Sequence, residues 1–187
     1  MWQPDRHICR TFHIDTNRVN ARSCLESMNR LERWHEDDVI TLVMSEVAQL
    51  EAAAGADHNR KSKAHGYVFT ETRADTPSEK TLLREIERIL FPSGAQSENE
   101  RNDVAIVFNA IKYGAILITN DGGSKRQPIG ILGNRDKLKT IGARIFSDEE
   151  AVQVVLDLIK KRDENARRYC ELAKKPIPEW VGKESEV

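Results

Sequence analysis

Cysteine and long apolar runs are scarce in this chain, and each scarcity argues against a class of protein. The 187 residues include 3 cysteines, Cys9, Cys24 and Cys170, which are far apart and form no CxxC pair. A disulfide framework or a structural zinc site is therefore not expected, and a reducing cytoplasm is the predicted location. No apolar run approaches the roughly 20 residues that span a bilayer, so no membrane partner is predicted.

The charge balance is nearly neutral, and it argues neither for nor against a nucleic acid partner. The chain has 29 basic and 30 acidic residues, for a net charge of −1. Only the distribution of charge is informative in such a case. The basic residues after position 160 alternate with acids, which is typical of a solvated helix face. The loop around Gly122 and Gly123 lacks the complete G-x-x-x-x-G-K-[ST] pattern, so ATP binding there is not expected.

Apolar runs and helical patterns alternate along the chain. Strands are predicted at residues 8–14, 39–44, 115–119 and 143–146, and the polar segment 55–63 is predicted to be a loop. Residues 65–72 fit a strand or an extended link equally well. Capping boxes at Thr76 and Ser147 predict the starts of two helices. Asn102 is predicted to cap a further helix, with Asp103 in its first turn and kept ionised by the helix dipole.

Strands that alternate with helices predict an α/β protein, a three-layer α/β/α sandwich around a mainly parallel sheet. Residues 1–160 are assigned to this domain, and residues 161–187 to an additional C-terminal helix and tail. In such sheets, ligands bind at the carboxyl ends of the strands near a topological switch point.

Four carboxylates stand where they could meet at that edge. Asp15, Glu46 and Asp121 each follow an apolar run, and Asp103 lies on a helix. Gathered carboxylates repel one another and lose hydration unless a cation joins them, so Mg²⁺ or Mn²⁺ is the predicted occupant.

Each acid alone has a simpler explanation. Asp15 and Asp121 could be turn formers, and Asp103 could be a helix cap. Glu46 could simply begin a helix. The four together, in this order, favour the metal site.

The chain resembles the PIN-domain family from about residue 8 to residue 146. In that family an Asp-Thr-Asn or Asp-Thr-Ser motif ends the first strand, as at Asp15, Thr16 and Asn17. A Glu follows the second strand, as Glu46 does. An Asp-x-x-Ile-x-x-x-Ala helix starts at Asp103, and the sequence 119–121 matches the Thr-Asn-Asp that ends the following strand.

The resemblance implies a Mg²⁺- or Mn²⁺-dependent endoribonuclease. Asp15, Asp103 and Asp121 are expected to surround the main metal ion, with Glu46 binding a water molecule or a second metal ion. Other residues are expected to hold these carboxylates or to contact substrate phosphates: Thr16, Asn17 and Thr119 in the first role, Lys125 and Arg126 in the second.

The resemblance also leaves open which kind of PIN protein this is. A toxin neutralised by a small antitoxin and a stand-alone or atypical PIN protein are equally compatible with it, and the protein could be a homodimer. Two other functions remain alternatives: an RNA- or protein-binding module that does not catalyse a reaction, and a structure-specific DNA nuclease.

Overall fold

The computed structural model describes residues 4–122 and 129–184. At its centre is a five-stranded sheet with the order β3-β2-β1-β4-β5, in which every neighbouring pair is parallel. The strands are β1 (Thr11–Ile14), β2 (Thr41–Ser45), β3 (Phe69–Thr70), β4 (Ile116–Ile118) and β5 (Ile145–Phe146). Phe12, His13 and Ile14 of β1 are all almost completely buried, as expected for a strand covered on both faces.

The described residues form eight α-helices and a 3-10 helix at Thr16–Arg18, and all except the last α-helix lie between two strands of the sheet. The helices are α1 (Glu26–Glu36), α2 (Glu46–Ala54), α3 (His58–Gly66), α4 (Pro77–Leu90), α5 (Glu98–Lys112), α6 (Gly130–Gly133), α7 (Arg135–Lys139) and α8 (Asp148–Ala173). Not one of the helices described is both long and apolar enough to cross a membrane.

The helices form a layer on each side of the sheet. The chain moves from β1 to β2 through α1, and it later moves in the opposite direction, from β3 past β2 and β1 to β4, through α4 and α5. Right-handed crossovers therefore place α1 and α5 on opposite faces. Helix α1 packs against α8, and α4 packs against α5. The predicted three-layer α/β/α sandwich with a parallel sheet is confirmed.

Both predicted capping boxes are present. The Thr76 hydroxyl accepts the backbone N–H of Glu79, and the Ser147 hydroxyl accepts that of Glu150. In each case the glutamate side chain bonds back to the backbone N–H of the cap. Helices α4 and α8 accordingly begin at these caps.

Two predictions about helices were wrong. The segment 55–63 was predicted to be a loop, but most of it forms α3, because the Asp57 side chain accepts the N–H groups of Asn59 and Arg60 and caps the helix. Helix α5 begins at Glu98 rather than near Asn102, because Ser97 and Glu100 form a capping box that had not been recognised.

Helix α8 continues through residue 160, the expected domain boundary, and ends at Ala173. The tail then returns along the helix. The buried Arg162 side chain donates to the carbonyl oxygens of Arg6 (2.9 Å) and Lys183 (3.3 Å), and its guanidinium lies 4.8 Å from the Trp180 ring. Asp163 accepts the N–H of Gly182 at 2.7 Å. Both ends of the described chain are thus tied to one stretch of α8.

Candidate active site

Two of the predicted acids lie at the switch point of the sheet. Strands β1 and β4 are neighbours, with Ile14 opposite Ile118, and the chain reaches β4 only after it has formed β2 and β3 on the other side of β1. Asp15 directly follows β1, and its N–H donates to the Ile118 carbonyl at 2.9 Å. Asp121 lies three residues beyond the end of β4. Side chains at such a point face a crevice between crossovers that diverge.

Asp15 is held by three donors. Its Oδ2 accepts the Thr119 hydroxyl at 2.5 Å and the Asn17 side-chain amide at 2.7 Å, and its Oδ1 accepts the backbone N–H of Thr16 at 2.6 Å. Only 4% of Asp15 is exposed to solvent. Burial is the main reason that the pKa of Asp15 is raised from 3.8 to about 6, and the hydrogen bonds from Thr119 and Thr16 oppose that rise.

Asp121 is fixed between the end of β4 and the start of α6. Its backbone N–H donates to the Thr119 hydroxyl oxygen at 3.0 Å, and its Oδ2 accepts the N–H of Ile131 at 2.8 Å. The Asn17 side-chain oxygen accepts the neighbouring N–H of Asn120 at 3.1 Å. Thr119 therefore connects the carboxylate of Asp15 to the backbone of Asp121.

The third acid reaches the same place from a helix. Asp103 lies on α5, whose buried side chains Val104, Val107 and Phe108 fix the helix on the sheet. The pKa of Asp103 is raised from 3.8 to about 8, first by burial and then by the charges of Asp15 and Asp121. The three acids are therefore close enough for their charges to act on one another, and the place where they do so is called the pocket below.

The expected help from a helix dipole is absent at Asp103. Asp103 is five residues into α5 rather than in its first turn. The effect of the dipole is limited to the first turn. The expectation that it keeps this carboxyl ionised was wrong, since burial and like charges raise the pKa instead.

The fourth acid of the pocket is Glu51, which sequence reasoning missed. Its Oε2 accepts the Thr16 hydroxyl at 3.0 Å, and its charge helps to raise the pKa of both Asp15 and Asp103. Glu46 is the first residue of α2, capped by Ser45, and its carboxylate accepts a long bond of 3.5 Å from the Thr72 N–H. Five residues correspond to about 140° around a helix, so the two side chains point in different directions.

The remaining predicted residues divide into two groups. Thr16, Asn17 and Thr119 all donate hydrogen bonds to carboxylates of the pocket. Lys125 and Arg126 lie outside the described residues, so their suggested contact with phosphate stays a prediction.

The four acids of the pocket offer carboxylate oxygens as metal ligands, and such ligands suit a hard divalent cation. Within residues 4–122 and 129–184, no three His, Cys, Asp or Glu side chains are already arranged as a metal-binding group. Mg²⁺ needs only one or two carboxylates directly and keeps several waters, so a pocket of separated acids remains compatible with it. A cation would also reverse the mutual repulsion that raises the pKa of Asp103.

Comparison with solved structures gives similar folds at low sequence identity. One is VapBC2 from Rickettsia felis bound to a DNA fragment from its promoter, with 18% identity, a TM-score of 0.47, and coverage of 73% of this chain and 98% of that one. Another is VapBC-1 from nontypeable Haemophilus influenzae, with 17% identity, a TM-score of 0.46, and coverage of 74% and 98%. No family model and no curated protein matches the chain.

A likeness at this level does not transfer an activity. What the chain itself shows is a parallel five-stranded sheet with Asp15 and Asp121 after two neighbouring strands and with the charges of both acting on Asp103.

Proposed function

We propose that this protein is a divalent-metal-dependent endoribonuclease. The observation that carries the proposal is the convergence of four acids from different parts of the chain: Asp15, Glu51, Asp103 and Asp121. If each acid were only a local cap or turn former, nothing would bring the charges of Asp121 and Glu51 close enough to raise the pKa of both Asp15 and Asp103. A cluster of pKa-perturbed acids in a crevice is a recognised sign of a functional site.

Mg²⁺ or Mn²⁺ would be held by Asp15 and Asp121, with Asp103 and Glu51 binding directly or through water. When bound, such a cation supplies Lewis acidity and lowers the pKa of a bound water. The protein's own part is to keep the ligands in place. Thr119 and Asn17 orient the carboxylate of Asp15, and Thr16 links Asp15 to Glu51 through its N–H and its hydroxyl.

Asp103 ties cation binding to protons. Burial and the charges of Asp15 and Asp121 raise the pKa of Asp103 to about 8, which favours the protonated carboxyl at neutral pH. Binding of a cation is expected to release that proton, and affinity for the cation should therefore rise with pH. The sequence resemblance extends the proposal to a small antitoxin as partner, to a homodimer and to a cytoplasmic location.

The test is cleavage of labelled RNA and single-stranded DNA with Mg²⁺, Mn²⁺ or EDTA. We expect RNA cleavage that EDTA stops and that Asp15→Asn and Asp121→Asn abolish. Asp157→Asn, on the exposed face of α8, is the matched control and should cleave normally. Full activity in both pocket variants would refute the proposal. Absence of cleavage under all conditions would favour a binding module, and preference for DNA would favour the structure-specific nuclease.

A further inference from the structure

We propose that α3 is the surface on which the RNA backbone docks, with Arg60 as a phosphate contact beside the acids. The inference rests on the proposed function, because it names the path by which substrate reaches the pocket. Helix α3 is the segment that the sequence alone had suggested to be a loop.

The charge of α3 is of one sign. Residues 58–66 include Arg60, Lys61 and Lys63 and no acid. Lys63 is engaged by Glu32, with Nζ 2.9 Å from Oε2. Lys61 is exposed and makes no ion pair within the part of the chain that the structure describes. Arg60 likewise has no carboxylate partner among the described residues, so two cations of this helix are not neutralised there.

Arg60 lies against the pocket itself. One of its terminal nitrogens donates to the Thr16 carbonyl at 2.7 Å. Thr16 in turn donates to Asp15 and to Glu51. Helix α3 also packs against α2, the helix that carries Glu51. The basic helix is therefore linked to Asp15 and Glu51 through one residue, Thr16.

This arrangement solves an electrostatic problem. Four acids repel a polyanion, so the phosphates that flank the cleaved bond need cations beside the pocket rather than inside it. A guanidinium has five N–H donors, and the bond to Thr16 occupies only one of the two terminal nitrogens of Arg60. Because that bond already orders the side chain, less conformational entropy is lost when the remaining donors bind a phosphate.

The proposal is tested by fluorescence anisotropy with labelled single-stranded RNA, in EDTA, over a range of salt concentrations. All proteins carry Asp121→Asn, so that cleavage cannot interfere. The test variants are Lys61→Gln, Arg60→Gln and Arg60→Lys, and Lys160→Gln, exposed on α8, is the charge-matched control. Thermal unfolding of each variant verifies that it folds.

We expect Lys61→Gln and Arg60→Gln each to weaken RNA binding by about 3- to 10-fold. The slope of log K against log salt should also fall by about 0.7 for each lost phosphate contact. Arg60→Lys should retain the slope but not the full affinity, because the fork of donors is lost. Lys160→Gln should bind as the parent does.

Affinity and salt slope unchanged in both Lys61→Gln and Arg60→Gln would overturn the inference, as would RNA binding too weak to measure in the parent. Lys61 is exposed, so its variant gives the answer even if Arg60→Gln unfolds. The two proposals can also fail separately. Metal-dependent cleavage with unaltered binding in the α3 variants would leave the nuclease and remove the docking surface. Weakened RNA binding in the α3 variants, with no cleavage by the parent protein, would keep the docking surface and remove the nuclease.

Discussion

Replacing Asp103 with Asn should stabilise the protein when EDTA removes divalent cations, although it removes a residue of the proposed catalytic site. The pKa of this carboxyl is raised from 3.8 to about 8 by burial and by the charges of Asp15 and Asp121. At pH 8 that environment disfavours the folded state, because the unfolded chain ionises the carboxyl freely. An amide of nearly the same shape avoids this cost.

The size of the effect follows from linkage. At about 1.4 kcal/mol per pH unit, such a displaced pKa corresponds to several kcal/mol at most. Solvent reaches part of the side chain, and the neighbouring acids can take up the proton instead. We therefore expect a gain of about 1–2 kcal/mol, which for a chain of this size is a rise in Tm of roughly 3–6 °C.

The pH dependence has a definite sign. The pKa of Asp103 is higher in the folded protein than in the unfolded chain, so the destabilisation is full above about pH 8 and fades as the pH falls. The gain from Asp103→Asn should thus be largest at pH 8 and small near pH 4, and it should vanish only well below the unfolded pKa of 3.8, where the carboxyl is protonated in both states.

The measurement is thermal unfolding of both proteins in EDTA at pH 4, 6 and 8, and again with excess Mn²⁺. A cation at 100 times its Kd stabilises the native state by about 2.7 kcal/mol. That increment should be present in the parent protein and much smaller in Asp103→Asn. If the variant is no more stable than the parent in EDTA at pH 8, the acids do not form a mutually repelling cluster, and the argument for a cation site fails.

Three further predictions concern single side chains. Glu51→Gln should reduce RNA cleavage at least tenfold while Glu46→Gln has little effect, and the reverse result would restore Glu46 to the site. Thr119→Val should raise the pKa of Asp15 further, move the acid limb of the pH–activity profile upward and cost about 10- to 100-fold in activity; Thr119→Ser should largely restore both. Burial lowers the pKa of His13 to about 4, and neither ring nitrogen has a hydrogen-bond partner among the residues that the structure describes. His13→Leu should therefore gain about 1–2 kcal/mol more stability at pH 5 than at pH 8, because only the unfolded chain protonates His13 between about pH 4 and 6.5. Equal gains at the two pH values would contradict that assignment.

The sheet and three of the acids could be predicted, and for Asp15 and Asp121 the prediction depends on local patterns. Continuous apolar runs mark interior parallel strands, and a polar residue after such a run lies at the carboxyl end of the sheet. Asp15 and Asp121 meet for that reason alone.

The other two acids depend on where a helix begins, which is the weakest part of a sequence reading. For α5, the spacing of Ser97 and Glu100 indicates a capping box, so the helix begins at Glu98 and not near Asn102. For α2, Glu46 directly follows the strand, but Ser45 is the cap. The side chain that faces Thr16 is the one about one and a half turns later, Glu51. Only the packed structure shows which carboxylate faces the pocket.

Helix α3 was missed because its residues are almost all polar, so that no apolar stripe was visible. Ala64 is its one buried residue, and the Asp57 cap supplies much of the local preference for a helix.

The hydrogen bonds from Arg162 to Arg6 and Lys183 limit how far the C-terminal segment can be shortened. A chain stopped at residue 160, where the PIN-like pattern suggests a natural end, would lose the guanidinium that fastens the segment leading into β1. Asp15 follows the other end of that strand. Removing the residues after 160 would therefore loosen the strand that positions Asp15, although the removed residues contact the strand's opposite end.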